Sequence, residues 1–142
     1  MVYLLEIDAN ERTISYRLAF HLSKCFRNYI VDCEYNRNID AEDLKKRLDI
    51  VGDCIGYEDN IGSTIYPDII VHKRGNNLNN LLVIEVKKHT NSCLKGIERD
   101  RCKLKYFTAD SGLNYKLGMQ LIMGRTDPER IILYQNGHEV QI

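Results

Sequence analysis

Residues 66–88 read YPDIIVHKRGNNLNNLLVIEVKK, and this stretch organises the rest of the chain. It contains two runs rich in β-branched residues, Tyr66 to His72 and Leu81 to Lys87, joined by the linker RGNNLNN. Because glycine and asparagine are typical of tight turns between strands, the stretch predicts a β-hairpin.

The hairpin predicts which side chains face each other. A turn centred on Asn76 and Asn77 leaves Asp68 and Glu85 equally far from its centre, so these two residues pair, with Cβ atoms roughly 5 Å apart. Side chains alternate between the faces of a strand, and Lys87 therefore shares a face with Glu85. Two carboxylates and one ammonium group converge on one face.

This cluster predicts a metal site and a reaction. Adjacent carboxylates repel each other unless a cation lies between them. Mg²⁺ typically uses one or two carboxylates with waters and phosphate oxygens, so Asp68 and Glu85 are candidate ligands for Mg²⁺ or Mn²⁺, with the backbone carbonyl of Val86 as a third. Lys87 is placed to orient or deprotonate an attacking water and to stabilise charge developing on phosphorus. These groups predict phosphodiester hydrolysis.

The flanking segments complete an α/β pattern. Apolar residues recur at helical spacing from Asn10 to about Phe26, where Asp8 is the candidate N-cap, and again from about Cys93 to Ala109. Further strands are predicted at Tyr29 to Tyr35, at Tyr115 to Met123, at Arg130 to Tyr134 and at the C-terminal end. A charged helix and a glycine-rich loop form an insertion at about 40–64. We expect one domain over residues 1–142, an α/β fold around a mixed sheet.

Pro67-Asp68 on one strand, followed by Glu85-Val86-Lys87 on the next, resembles the PD-(D/E)XK nuclease superfamily, which includes type II restriction endonucleases and archaeal Holliday-junction resolvases. The resemblance covers about residues 10 to 123. It implies a restriction-endonuclease-like α-β-β-β-α-β core and a metal-dependent endonuclease that cleaves DNA with Asp68, Glu85 and Lys87. The chain also resembles small uncharacterised bacterial members, in which an N-terminal helix supplies a further acid, and Glu11 is the matching position.

Each site residue also has a structural interpretation. Glu11 lies three residues before Ile14 on the buried stripe of its helix, which favours a catalytic or metal-binding role, yet Asp8 and Glu11 also have the spacing of a capping box. Asp68 could simply begin a strand, and Glu85 and Lys87 could form an ion pair on a solvated face. The alternative function is a catalytically silent binding module of the same fold, or a subunit of a defence or repair assembly.

Three basic residues are candidate nucleic-acid contacts: Arg99 and Lys103 on the exposed face of the second helix, and Lys88 on the opposite face of the sheet from Lys87. Acidic residues alternate with the helical pair, which is also typical of a solvated face. His72 and His89 lack a second pair of ligands at metal spacing, so we expect polar surface or core histidines and no zinc site.

Composition limits the partners. Lysine and arginine number 20, as do aspartate and glutamate, so any nucleic-acid surface must be local. Neutral charge and small size favour a homodimer or another partner for embracing a duplex. No apolar run predicts a membrane span or an export signal. Five cysteines without a CxxC pair favour reduced thiols in the cytoplasm.

Overall fold

Six strands form one mixed sheet in the computed structural model, which describes residues 1–35, 66–91, 93–110 and 112–141. In their order across the sheet they are β1 (Ile30–Cys33), β2 (Ile69–His72), β3 (Leu82–Lys88), β4 (Leu117–Met123), β5 (Pro128–Gln135) and β6 (His138–Val140). Neighbouring strands are antiparallel except β3 and β4, which are parallel. The predicted mixed α/β class is confirmed. The insertion predicted at about 40–64 lies outside the described residues.

Within the described ranges three α-helices accompany the sheet: α1 (Val2–Glu6), α2 (Glu11–Cys25) and α3 (Leu94–Thr108). A short 3₁₀ helix at His89–Asn91 precedes α3. Because parallel strands cannot be joined by a tight turn, the chain crosses from β3 to β4 through α3. The helix α1 was not expected from the sequence. Among the described residues no helix is long and apolar enough to cross a membrane.

Alternation along β2 and β3 divides the apolar core between the two faces of the sheet. On the α2 face the buried cluster includes Ile14, Ile69, Val71, Ile84 and Val86. On the α3 face it includes Ile70, Val83, Leu104, Phe107 and Tyr115. The helices therefore cover opposite faces, and each strand of the hairpin is buried on both sides.

The hairpin has the predicted register. Ile69 lies opposite Ile84 and Val71 opposite Leu82, so the next pair of positions beyond Ile69 and Ile84 is Asp68 and Glu85. Asp68 thus stands immediately before β2, at the end of the hairpin distant from its turn.

The start of α2 differs from the prediction. Asn10 is the N-cap, and its Oδ1 accepts a hydrogen bond from the Thr13 backbone N–H at 2.8 Å. Asp8 has a positive φ of 55° between α1 and α2, and its side chain instead contacts Lys88. The predicted capping box between Asp8 and Glu11 is therefore wrong.

The cysteines also differ in part from the expectation. Cys25, Cys33 and Cys93 are free thiols, as expected for a chain with reduced cysteines. Cys102, which is buried in α3, is disulfide-bonded, so the expectation of reduced thiols is wrong at that position.

Candidate active site

A cavity of about 220 Å³ lies between α2, α3 and the hairpin. Charged side chains from α2, the hairpin and α3 line the inner part of the cavity: Glu11, Asp68, Glu85, Lys87, Asp100 and Lys103. Val86 and Ser15 also line it, and Arg12, Tyr16, Glu34 and Arg99 complete the lining. The structure therefore brings together all four residues that the sequence predicted to be catalytic.

Asp68 is fixed beside β3 by the backbone. Its Oδ2 accepts a hydrogen bond from the Val86 N–H at 2.7 Å, which holds the carboxylate next to Glu85. Burial raises the pKa of Asp68, and the nearby Lys103 ammonium and the Val86 N–H offset only part of this effect. One carboxylate oxygen is thus committed to the protein.

Glu85 is paired with a buried lysine. Lys103 Nζ lies 2.9 Å from Glu85 Oε1 and donates a hydrogen bond to the Tyr66 carbonyl at 3.2 Å, although both side chains are almost completely buried. The ammonium group of Lys103 is therefore the charge partner of the Glu85 carboxylate. Burial raises the pKa of Glu85 well above its ordinary value despite the attraction of Lys103.

Lys103 lies inside the cavity, and its predicted position on an exposed basic face of α3 is wrong. Burial lowers the pKa of Lys103, but Glu85, Asp100 and Asp68 outweigh that effect, so its pKa is raised. The lysine is therefore a permanent internal cation at neutral pH.

Lys87 points to the same face and is held by α3. Its Nζ lies 3.4 Å from Asp100 Oδ2. Burial lowers the pKa of Lys87, yet Asp100, Glu11 and other neighbouring carboxylates more than compensate, and its pKa is raised. The side chain is thus an ammonium donor. Of the three roles predicted for Lys87, orienting the water and stabilising charge fit an ammonium group better than removing a proton does.

Glu11 joins α2 to the end of β3. Its Oε2 accepts a hydrogen bond from the Lys88 backbone N–H at 2.9 Å, and the residue lines the cavity. This carboxylate therefore holds the backbone that follows Lys87, and it does not return to cap its own helix.

The other two candidate nucleic-acid contacts lie in different surroundings. Lys88 is on the opposite face of the sheet, as predicted, and its Nζ lies 3.1 Å from Asp8 Oδ1 with only 17% of the side chain exposed. Arg99 is partly buried and lines the cavity. Only Arg99 is therefore placed next to the candidate site.

Asp100 is a site residue that was not expected from the sequence, and Lys103 was expected only as an exposed nucleic-acid contact. The available signal was their helical spacing, because Leu104 and Phe107 follow Asp100 by four and seven residues and lie in the core. A polar residue on that stripe must face the sheet. Burial raises the pKa of Asp100 in spite of Lys103 and Lys87.

The cavity has more negative than positive groups. Its inner part holds four carboxyl groups and two ammonium groups, and acidic residues still outnumber basic ones when the rest of the described lining is included. Burial is the main cause of the raised pKa values of Asp68, Glu85 and Asp100, and the neighbouring carboxylates add to it. A divalent cation would relieve this excess of negative groups.

The donor set fits a hard ion that keeps solvent ligands. Among the described residues no three histidine, cysteine, aspartate or glutamate side chains form a ready metal cage. Mg²⁺ does not need one, because two carboxylates with waters and substrate oxygens are sufficient. Asp68 and Glu85 supply this minimum.

Comparison of the chain with protein-family models, with curated proteins and with solved structures found no match.

Proposed function

We propose that this protein is a divalent-cation-dependent endonuclease that hydrolyses phosphodiester bonds of DNA in the cavity between α2, α3 and the hairpin. The observation that carries the proposal is the meeting of Asp68, Glu85 and Lys87 in one cavity that acidic side chains line in excess of basic ones. The order of the described elements α2, β1, β2, β3, α3 and β4 supports the restriction-endonuclease-like core that the motif implies.

Asp68 and Glu85 would hold Mg²⁺ or Mn²⁺, with the Val86 carbonyl as a further oxygen donor. When bound, the ion supplies Lewis-acid polarisation and charge neutralisation at the phosphoryl group. The Val86 N–H keeps Asp68 oriented toward this position, since it already binds one of the two carboxylate oxygens. Glu11 anchors the adjacent backbone and is a secondary ligand or water anchor.

Lys87 acts through its charge. Asp100 keeps the ammonium group inside the cavity and raises its pKa, so the side chain donates hydrogen bonds to the attacking water or to a phosphoryl oxygen. A fixed positive charge in a buried site stabilises the negative charge that develops on phosphorus more strongly than solvent would. Asp100 is therefore a positioning residue for Lys87.

One observation favours the second candidate, a nuclease-fold binding module without turnover. Lys103 already gives Glu85 a positive partner at 2.9 Å, so part of the cluster is balanced without a metal. A buried ion pair of this kind can also be structural. Because the two functions place the same residues in the same cavity, only activity and cation binding separate them.

The test is cleavage of plasmid, single-stranded, branched and RNA substrates with Mg²⁺, Mn²⁺ or EDTA. The wild type should cut at least one DNA substrate only when a divalent cation is present. Glu85→Gln should lower the rate by at least about 100-fold, because it removes a ligand charge. Glu98→Gln is the matched control, since Glu98 is an exposed acid of α3 that pairs with Arg101. Cleavage in EDTA, or equal rates for Glu85→Gln and wild type, would contradict the proposal.

A further inference from the structure

The outer side of α2 presents aromatic rings at the mouth of the cavity. Tyr16 and Phe20 are 49% and 48% exposed, large fractions for such side chains. Residues four apart in a helix lie on neighbouring turns of the same face. Arg12, Tyr16, Phe20 and Lys24 therefore form one continuous surface, and we call this surface, together with Arg17 beside the Phe20 ring, the α2 ridge. Arg12 and Tyr16 also line the cavity, so the ridge leads directly into it.

The α2 ridge is positively charged. Lys24 Nζ lies 4.4 Å and Arg17 Cζ 5.1 Å from the centre of the Phe20 ring, so two exposed cationic side chains lie against this ring and must turn away from it when a base stacks there. The only acid of α2 is Glu11, and its carboxylate is bound by the Lys88 N–H on the sheet side. Arg12 is paired with Glu34 at 3.1 Å, so Arg17 and Lys24 supply most of the free charge. A surface with this charge is complementary to a polyanion.

The spacing of the two rings favours a single strand over a duplex as the bound polyanion. Tyr16 and Phe20 are separated by about 6 Å of rise along the helix. Stacked bases along one strand of a duplex are only about 3.4 Å apart, and their faces are covered by neighbouring bases. Two rings at this separation fit consecutive bases of an extended strand whose faces are free. Aromatic platforms flanked by cations are the means by which proteins bind single strands.

We propose that the α2 ridge is the docking surface for an unpaired DNA strand, which stacks on Tyr16 and Phe20 and continues past Arg12 into the cavity. This inference rests on the proposed function for the role of that strand as the substrate. A second copy of the chain is a poorer occupant, because a two-fold contact centred on Phe20 would bring Arg17 and Lys24 of one copy close to the same cations of the other.

Binding is measured without divalent cations, in EDTA, so that it does not depend on cleavage. The probe is a fluorescent oligo(dT) of about 12 nucleotides, a length within the usual range of single-strand sites. Tyr16→Ala and Phe20→Ala should each weaken binding by about 5- to 150-fold. Tyr16→Phe keeps the ring and should retain affinity. Tyr3→Ala is the matched control, because Tyr3 is 67% exposed on α1 outside the ridge.

Charge is tested separately from stacking. Lys24→Ala should lower the slope of log affinity against log salt by about 1 if the lysine contacts a phosphate. A labelled hairpin duplex with the same number of nucleotides should bind more weakly than oligo(dT), and the two alanine variants at Tyr16 and Phe20 should reduce that difference.

The outcomes separate this inference from the proposed function. Wild-type affinity in both alanine variants, an equal loss in Tyr3→Ala, or tighter binding of the duplex would overturn the inference. Self-association of the wild type, detected by sedimentation, would also overturn the inference if the ridge variants abolish it and leave the affinity for oligo(dT) unchanged. Loss of oligo(dT) binding in the ridge variants of a protein that cuts nothing with any cation would support the ridge and count against the nuclease.

Discussion

Lys87 and Lys88 are neighbours in β3, yet they lie in different chemical surroundings because successive side chains point to opposite faces. Lys87 enters the cavity and contacts Asp100. Lys88 contacts Asp8 on the α2 side. Substitution of Lys87 and of Lys88 therefore removes the same type of side chain from opposite faces of the same strand, and each variant is the control for the other.

We predict that Lys87→Ala lowers cleavage by at least about 100-fold, because it removes the ammonium that stabilises developing charge. Lys88→Ala should cut at close to the wild-type rate. Both variants should keep the increase in melting temperature that a divalent cation causes, because the ligands Asp68 and Glu85 are unchanged in both. The assignment of Lys87 fails if Lys87→Ala cuts as fast as the wild type under the conditions in which Lys88→Ala is active.

Lys103 gives a second prediction at this scale. Lys103→Met leaves the buried carboxylate of Glu85 without its partner and should lower the free energy of unfolding by about 3–5 kcal/mol in urea titrations near neutral pH. The double variant Lys103→Met with Glu85→Gln should recover part of the loss, because the carboxylate nearest to Lys103 is then neutral, while Asp68 and Asp100 still lack that partner. If Lys103→Met alone is as stable as the wild type, the ion pair has no structural importance.

The site was predictable from the sequence where it depended on the hairpin alone. The turn determines which positions pair, and the observed register puts Asp68 next in line opposite Glu85 as expected. Asp100 and Lys103 were not predictable in the same way, because their burial depends on how α3 is rotated against the sheet. Along the sequence they lie among other charged residues and have the pattern of a solvated face.

At the scale of elements, α3 packs closely against β4 at Gly118. A Cβ atom there would lie 2.9 Å from Thr108 Cγ2 and 3.3 Å from both Leu104 Cδ2 and Tyr134 Cβ. The absence of a side chain therefore sets the distance between helix and strand, and with it the position of the cavity residues that α3 carries.

We predict that Gly118→Ala lowers the free energy of unfolding by about 1–3 kcal/mol, since the added methyl group overpacks this contact. Gly96→Ala is the matched control in α3. Its Cβ would lie 3.5 Å from Cys93 Sγ and Lys87 Cε, ordinary contact distances, and alanine favours the helix by up to about 1 kcal/mol. Chemical denaturation compares the two. A neutral Gly118→Ala would mean that α3 and β4 are not packed this closely.

Element types were predictable from periodicity, whereas the ends of elements were less so. The helix predicted from Asn10 to about Phe26 is observed at Glu11–Cys25, and the one from about Cys93 to Ala109 at Leu94–Thr108. The cap of α2 was misassigned because Asp8 and Asn10 are both good capping residues, and only the backbone turn at Asp8 decides between them. With only five residues, α1 is too short to show helical periodicity.

At the scale of the whole molecule, a net charge of zero conceals a separation of charge. Acidic residues predominate in the cavity, while cations predominate on the α2 ridge beside it. A phosphate backbone would be attracted to the ridge, and a divalent cation to the cavity. The homodimer inferred from the small size of the chain stays a prediction.

This separation predicts how stability depends on pH and Mg²⁺. The raised pKa values of Asp68, Glu85 and Asp100 mean that the metal-free fold loses stability as pH rises from their ordinary values of 3.8 to 4.5 through the values in the folded state. The ionised forms bind the cation, so the increase in melting temperature caused by Mg²⁺ should grow over the same rise in pH. At an Mg²⁺ concentration one hundred times its dissociation constant, the free energy of unfolding should increase by about 2.7 kcal/mol.

Asp68→Ala should remove most of this gain, and calorimetry at several pH values checks both effects. An increase in melting temperature that does not vary with pH would mean that the cation binds elsewhere. No increase at millimolar Mg²⁺ or Mn²⁺ would mean that the paired carboxylates are not ligands.

The most direct measurement is the anomalous diffraction of a crystal soaked in Mn²⁺. We predict one strong peak between the carboxylates of Asp68 and Glu85, within coordinating distance of both. This peak should be lost in Asp68→Ala crystals. A cavity without a peak, in which Lys103 still contacts Glu85 at saturating Mn²⁺, would contradict the assignment of this site as a metal-dependent nuclease centre.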